Sequence, residues 1–81
     1  MNEKMYKIAI GIPSLNEAKN ISYVTTQIDL ELSKYFSHLT SVIVNVDNNS
    51  TDNTREEFLT TNTSSDKIFQ QKIIWLGRDL T

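Results

Sequence analysis

The sequence predicts an α/β fold, a β-α-β-α-β half of a doubly wound parallel sheet, and three observations carry that expectation. Apolar side chains alternate with a period of two in two short stretches, residues 6–12 and 41–46. Between them the apolar positions fall instead at steps of three and four. Each alternating stretch runs into a polar loop rich in turn and helix-capping residues. Period two marks strands, steps of three and four mark an amphipathic helix, and strands that alternate with helices favour a parallel sheet.

The first strand spans residues 6–12, with Ile8, Ile10 and Ile12 on one side and Ala9 and Gly11 on the other; Pro13 is expected to end it. Ser14-Leu15-Asn16-Glu17 has the spacing of a capping box, so a helix is predicted over 17–36. Its core stripe would be Ile21, Val24, Ile28, Leu32 and Tyr35. A β-branched second strand follows at 41–46. The run from Asp47 to Thr54 is wholly polar and leads into a second helix over 52–61, anchored by Phe58 and Leu59. After a surface connection over 61–66, the third strand is predicted at 72–76. Right-handed crossovers would place both helices on one face of the sheet. The expected helix-facing residues are Ile8, Ile10, Ile12, Val42, Val44 and Val46, with Ala9, Gly11 and Asn45 on the other side.

The 81 residues suffice for one domain and contain no Cys, which excludes disulfides, thiolate metal sites and a cysteine nucleophile. A net charge of −2 without a basic block argues against nucleic-acid binding. No apolar run approaches the length of a membrane span, and the start Met1-Asn2-Glu3-Lys4 leads into no secretory apolar region. A cytoplasmic location is therefore expected. The composition is instead heavy in nine Thr, eight Asn and eight Ser, residues suited to turns, caps and polar ligands.

Ligands of open parallel sheets bind beyond the carboxyl ends of the strands. The loops expected there hold Pro13, Ser14, Leu15 and Glu17 after the first strand, and Asp47 and Asn48 after the second. Glu17 fits either as a capping residue or as an acceptor in the cleft, and Asp52 fits best as a helix N-cap. Asp47 is the stronger functional candidate, because it ends a buried strand where an acid has little evident structural work. Asp29, Glu31, Glu56 and Glu57 read as solvated helix surface. His38 suits a helix C-terminus, and Trp75, Tyr6, Tyr23 and Tyr35 suit packing roles.

Ile10-Gly11-Ile12-Pro13-Ser14-Leu15-Asn16-Glu17 resembles the P-x-x-N-E loop after the first strand of GT-A nucleotide-sugar glycosyltransferases of the family 2 type. Val44-Asn45-Val46-Asp47-Asn48-Asn49-Ser50-Thr51-Asp52-Asn53-Thr54 resembles their second-strand motif, V-D-D-x-S-x-D-x-T. The two occur together and in order. With Ala18 and Tyr23-Val24-Thr25, the first motif is also similar to the branch of glucosyl-3-phosphoglycerate and mannosylglycerate synthases. The resemblance implies a Rossmann-like GT-A sheet in which residues 1–81 form the N-terminal nucleotide-binding portion of an incomplete domain. Pro13, Ser14 and Leu15 would then wall the nucleobase, Glu17 would hold the ribose, and Asp47 would accept from the base with Asn48 beside it. Asn48 stands where the family usually has a second acid.

The family's metal-binding D-x-D is absent from the chain. The resemblance thus implies a UDP- or GDP-linked sugar donor and a divalent ion, Mg or Mn, in the whole enzyme, with neither metal nor catalysis supplied by this segment. The competing expectation is a non-enzymatic α/β binding or oligomerisation module. If the strand order is 3-2-1, the first strand is a bare edge through which copies of the chain could associate.

Overall fold

A computed structural model describes residues 4–72 of the chain. The elements follow in the order β1 (Ile8–Ser14), α1 (Ile21–Phe36), β2 (Ser41–Asp47), α2 (Thr54–Thr60) and β3 (Asp66–Gln71). All three strands are parallel and β2 is central, with β1 on one side and β3 on the other. This is the α/β half-sheet the alternation predicts. Both helices cover one face, where Ile12 and Ile43 meet Ile21 and Leu32 of α1 and Phe58 of α2, with Ile8, Ile10, Ile28 and Phe69 packed around them. No helix among the described residues is long and apolar enough to cross a membrane.

Several boundaries differ from expectation, each for a physical reason. Pro13 does not end the first strand but pairs with Val46 inside it. The Ile8 N–H donates to Thr40 O (3.2 Å) and Ser14 O accepts from the Asn48 N–H (2.8 Å). Ile8, Ile10, Ile12 and Ser14 therefore direct their backbone groups to β2, while Ala9, Gly11 and Pro13 direct theirs to the open edge. A proline there loses no ladder bond. Ser14 is consequently a strand residue, no capping box forms, and α1 starts at Ile21 rather than Glu17.

The faces of β2 are also exchanged relative to the prediction. In the observed register Ile43, Asn45 and Asp47 lie beside Ile10, Ile12 and Ser14 on the helix side, and Val42, Val44 and Val46 lie on the other. Val42, Ile43 and Val44 are consecutive apolar residues, so this part of β2 is compatible with either phase. Along α1 the buried residues are Ile21, Thr25, Asp29 and Leu32, while Val24 and Tyr35 are 37% and 58% exposed. The rotated stripe takes in polar members that are satisfied where they lie: the Thr25 hydroxyl donates to Ile21 O (2.7 Å) of its own helix, and Asp29 accepts the Ser64 and Ser65 N–H groups, both at 2.9 Å. Asp29 is thus a buried brace for the turn before β3, not a solvated acid.

The third strand lies at Asp66–Gln71, ahead of the predicted stretch; residues 73–76 of that prediction lie outside the described residues. A lysine occupies a position where the strand pattern calls for an apolar side chain. Lys67 Nζ donates to the carbonyls of Phe58 (2.9 Å), Leu59 (2.8 Å) and Thr61, closing the C-terminal end of α2. Burial lowers its pKa, opposed by the negative charge of Asp29. Helix α2 is shorter than predicted, and Phe58 alone anchors it, since Leu59 is 39% exposed. Replacing Phe58 with Ala should therefore lower the unfolding free energy by about 3–5 kcal/mol, measured as a lower urea midpoint at unchanged slope.

Candidate functional site

At the carboxyl end of the sheet, Ser14 and Asp47 are register partners. Asp47 is 1% exposed and lies on the helix side. Its Oδ1 accepts the Ser14 hydroxyl (2.7 Å) and the Ser50 hydroxyl (2.6 Å), and its Oδ2 accepts the Ser50 N–H (2.7 Å). Burial raises the Asp47 pKa, as does the charge of Asp52, but donation by the Ser50 side chain, the Ser50 backbone and Ser14 outweighs both and holds the carboxyl below its ordinary value. Asn45, fully buried, completes the group by donating from Nδ2 to Ile12 O (3.0 Å) and Ser14 Oγ (2.8 Å), while its Oδ1 has no partner among the described residues. The acid at the end of β2 therefore has structural work to do.

The two loops are joined to each other outside this buried group. Asn16, at φ 53°, donates its N–H to Ser50 Oγ (2.7 Å) and accepts the Thr51 N–H on Oδ1 (2.8 Å). The Glu17 N–H donates to Thr54 Oγ1 (2.9 Å), and the Ala18 N–H to Asp52 Oδ2 (3.2 Å). Asp52 Oδ1 takes the Thr54 N–H (3.0 Å) and its hydroxyl, so Asp52 serves the start of α2 from just before the Asn53 cap position. Donation from the Thr54 hydroxyl is the main cause of a lowered Asp52 pKa. The second left-handed residue, Asn49 at φ 63°, turns the chain between Asp47 and Ser50. Asparagine tolerates this conformation better than most residues, which accounts for its use at both turns.

A cleft of about 530 Å³ opens beside these loops, lined by Pro13, Ser14, Leu15, Glu17, Val46, Asn48 and Lys72. Five of the six residues singled out in the sequence, Pro13, Ser14, Leu15, Glu17 and Asn48, thus meet at one place. Asp47 does not join them. It lines a second hollow, of about 360 Å³, with Ser50, Asp52, Arg55, Glu56, Phe69 and Gln71. In the first cleft Pro13, Leu15 and Val46 provide apolar surface. The side chains of Glu17 and Asn48 form no hydrogen bond among the described residues, where only their backbone groups are used.

Lys72 was not among the residues singled out. Its N–H donates to Asp47 O (2.7 Å), carrying the chain one residue past β3 and into the cleft. Correct placement of β3 is the signal that finds it. Asn45 was likewise missed as a site residue, although an amide between valines in a strand is an informative irregularity. Among the described residues no three His, Cys, Asp or Glu side chains are placed to hold a metal. Comparison of the chain with protein-family models, curated proteins and solved structures returns no match.

Removing the Asp47 carboxylate should be costly, and the cost should depend on pH. Asp47→Ala leaves buried donors unpaired, at about 1–3 kcal/mol each. Because the folded-state pKa is depressed, the contribution of the carboxylate is complete above about pH 4 and is lost as pH falls through the folded value. Asp47→Asn should flatten the acid limb of a stability-against-pH curve. The remaining slope would belong largely to Asp52 and Asp66, whose carboxyls are also held low. Superimposable acid limbs for the two proteins would contradict this assignment.

Proposed function

We propose that the chain forms the nucleoside part of the donor site of a nucleotide-sugar-dependent glycosyltransferase, and that the segment is not catalytic alone. One observation carries the reading: residues from two separate loops, which together resemble the paired GT-A motifs, line a single cleft at the carboxyl end of a parallel sheet. Pro13 and Leu15 offer a flat apolar wall for a base, and Glu17 offers an uncommitted acceptor for ribose hydroxyls. In this reading the base contact falls to Asn48 rather than Asp47, because Asn48 lines the cleft and Asp47 does not. Asp47 then acts as a positioning residue that fixes the loops carrying Leu15, Glu17 and Asn48. The ligand would be a UDP- or GDP-linked sugar. A divalent ion would stabilise charge on the diphosphate in the whole enzyme, held by parts other than the described residues. A cytoplasmic setting, where nucleotide sugars are at hand, accords with this reading.

The second reading, an oligomerisation module, rests on the open edge of β1. Ala9 and Gly11 direct outward backbone groups that no strand pairs among the described residues, and a groove with an apolar floor of Ile10, Ile28, Leu32, Tyr35 and Phe36, flanked by Gln27 and Glu31, runs along α1. A second copy pairing there would extend the sheet. Sedimentation at millimolar chain concentration should then reveal a dimer that Ala9→Pro abolishes, since that substitution removes an outward N–H alone. A monomer throughout would eliminate this reading.

For the donor-site reading, adding uridine or guanosine diphosphate should shift the amide resonances of Leu15, Glu17 and Asn48. Glu17→Ala should weaken binding about tenfold without moving the thermal transition, because the loop uses only the Glu17 backbone. Silence of these residues at millimolar nucleotide, in a folded sample, would refute the reading.

A further inference from the structure

We infer that two copies of the chain join β1 to β1 antiparallel, with Ile10 facing Ile10 at a twofold axis, so that the three-stranded sheets run on as one with the helices of both copies on the same side. The inference rests on the oligomerisation reading and adds to it the direction, the register and the surface that closes.

Symmetry limits the ways in which an edge can meet its own copy. A closed pair is related by a twofold axis, and every contact in it occurs twice. With the axis along the strands, each residue of a parallel pair would face itself, and outward N–H would meet outward N–H. An axis perpendicular to the sheet pairs the edges antiparallel, and facing residues then exchange N–H and C=O groups. It also keeps the helices of both copies on one face.

The groups along the edge select the register. Ile8, Ile10 and Ile12 are committed to β2, so Ala9, Gly11 and Pro13 supply what points outward. About an axis at Ile10, Ala9 faces Gly11 of the second copy, and both residues donate and accept. About an axis at Gly11, Ala9 would face Pro13, which has no N–H to return. About an axis at Ala9, Gly11 would face Lys7, whose N–H is already given to Thr40 O (2.9 Å).

The helix side of the edge complements itself as well. The groove there, of about 360 Å³, takes Ile10 from β1 and Ile28, Leu32, Tyr35 and Phe36 from α1, and Tyr35 and Phe36 are 58% and 44% exposed. Strands lie about 4.8 Å apart, and α1 packs on residues of both β1 and β2, so its axis falls about half a spacing inside β1. The two α1 axes then come to about 10 Å, a distance at which helices pack. The grooves open onto each other, with the Ile10 side chains opposed on the floor and Ile28 and Tyr35 along the seam, while Gln27 and Glu31 stay at the rim. An unrelated strand would satisfy the edge and leave this flank in water; a second copy covers both.

The chain has no Cys, so a single introduced thiol reports a single contact. Ala9 and Gly11 are exposed, and a Cβ at Gly11 meets nothing within 4 Å. At millimolar concentration, Ala9→Cys and Gly11→Cys oxidised together should give a disulfide-linked dimer on a denaturing gel, since such facing residues lie about 5.5 Å apart at Cα. Either variant oxidised alone should stay uncrosslinked, because like residues then sit on the diagonal, about 7–8 Å apart. Tyr35→Ala should weaken association about tenfold and leave the thermal transition of the dilute chain in place. A dimer sensitive to Ala9→Pro in which one variant crosslinks alone as well as the mixture does, or in which no combination crosslinks, overturns the inference and leaves the oligomerisation reading standing. Equal association of Tyr35→Ala and the wild type also overturns it. A chain that sediments as a monomer throughout refutes the oligomerisation reading itself.

Discussion

The carboxylate of Asp47 ties together parts of the chain that would otherwise meet only by packing. It receives the hydroxyl at the end of β1, the backbone at the start of the next loop and the hydroxyl of Ser50, all from a position almost wholly out of water. A buried charge is tolerated only when its lone pairs are occupied, and here donors from Ser14 and Ser50 occupy them and hold the pKa low against burial. Once Ser14 is held, Asn45 has an oxygen to which it donates, and once Ser50 is held, Asn16 has a hydroxyl to which it donates. The register of β1 on β2, the left-handed turns at Asn16 and Asn49 and the approach of the two loops thus depend on one acid. This dependence matters more in a small sheet, where the buried apolar residues of the described part are few and buried polar residues match them in number.

The same arrangement separates two kinds of polar residue that are adjacent in sequence. Asp47, the last residue of β2, is turned to the helix side, whereas Asn48, the first residue after the strand, lines the cleft. The inward one sets geometry and the outward one is exposed at the cleft. Ser14 and Leu15 divide similarly, the serine hydroxyl turned to Asp47 and the leucine exposed at the cleft. A motif read as a string of functional letters is, in three dimensions, a row of supports interleaved with a row of contacts.

That interleaving explains what could be read from the sequence. The order of elements, the parallel sheet and the meeting of Pro13, Leu15, Glu17 and Asn48 follow from periodicity and from where loops fall in such sheets. The phase of β2 did not follow, because Val42, Ile43 and Val44 satisfy either face and the deciding contacts are hydrogen bonds of Asn45 and Asp47 to another strand. The place of β3 was hidden for a related reason: Lys67 and Asp66 serve the end of α2 and the side chains of Lys4 and Tyr6, so the strand has no apolar alternation to announce it. Ser14-x-x-Glu17 imitated a capping box because the spacing records residue types and not the partner, across the sheet, that claims the serine.

The bonds between the loops also set a thermodynamic relation between the cleft and the rest of the molecule. Asn16, Glu17 and Ala18 are fastened to Ser50, Thr54 and Asp52 by backbone donors that need no ligand. The ordering entropy of the rim is therefore spent during folding, and an incoming molecule meets a surface already in shape. Such a ligand binds the folded chain and not the unfolded one, so its free energy adds directly to global stability. Substitutions that loosen the far side of the sheet would reduce apparent affinity by lowering the population of the assembled rim, without touching any group in contact with the ligand.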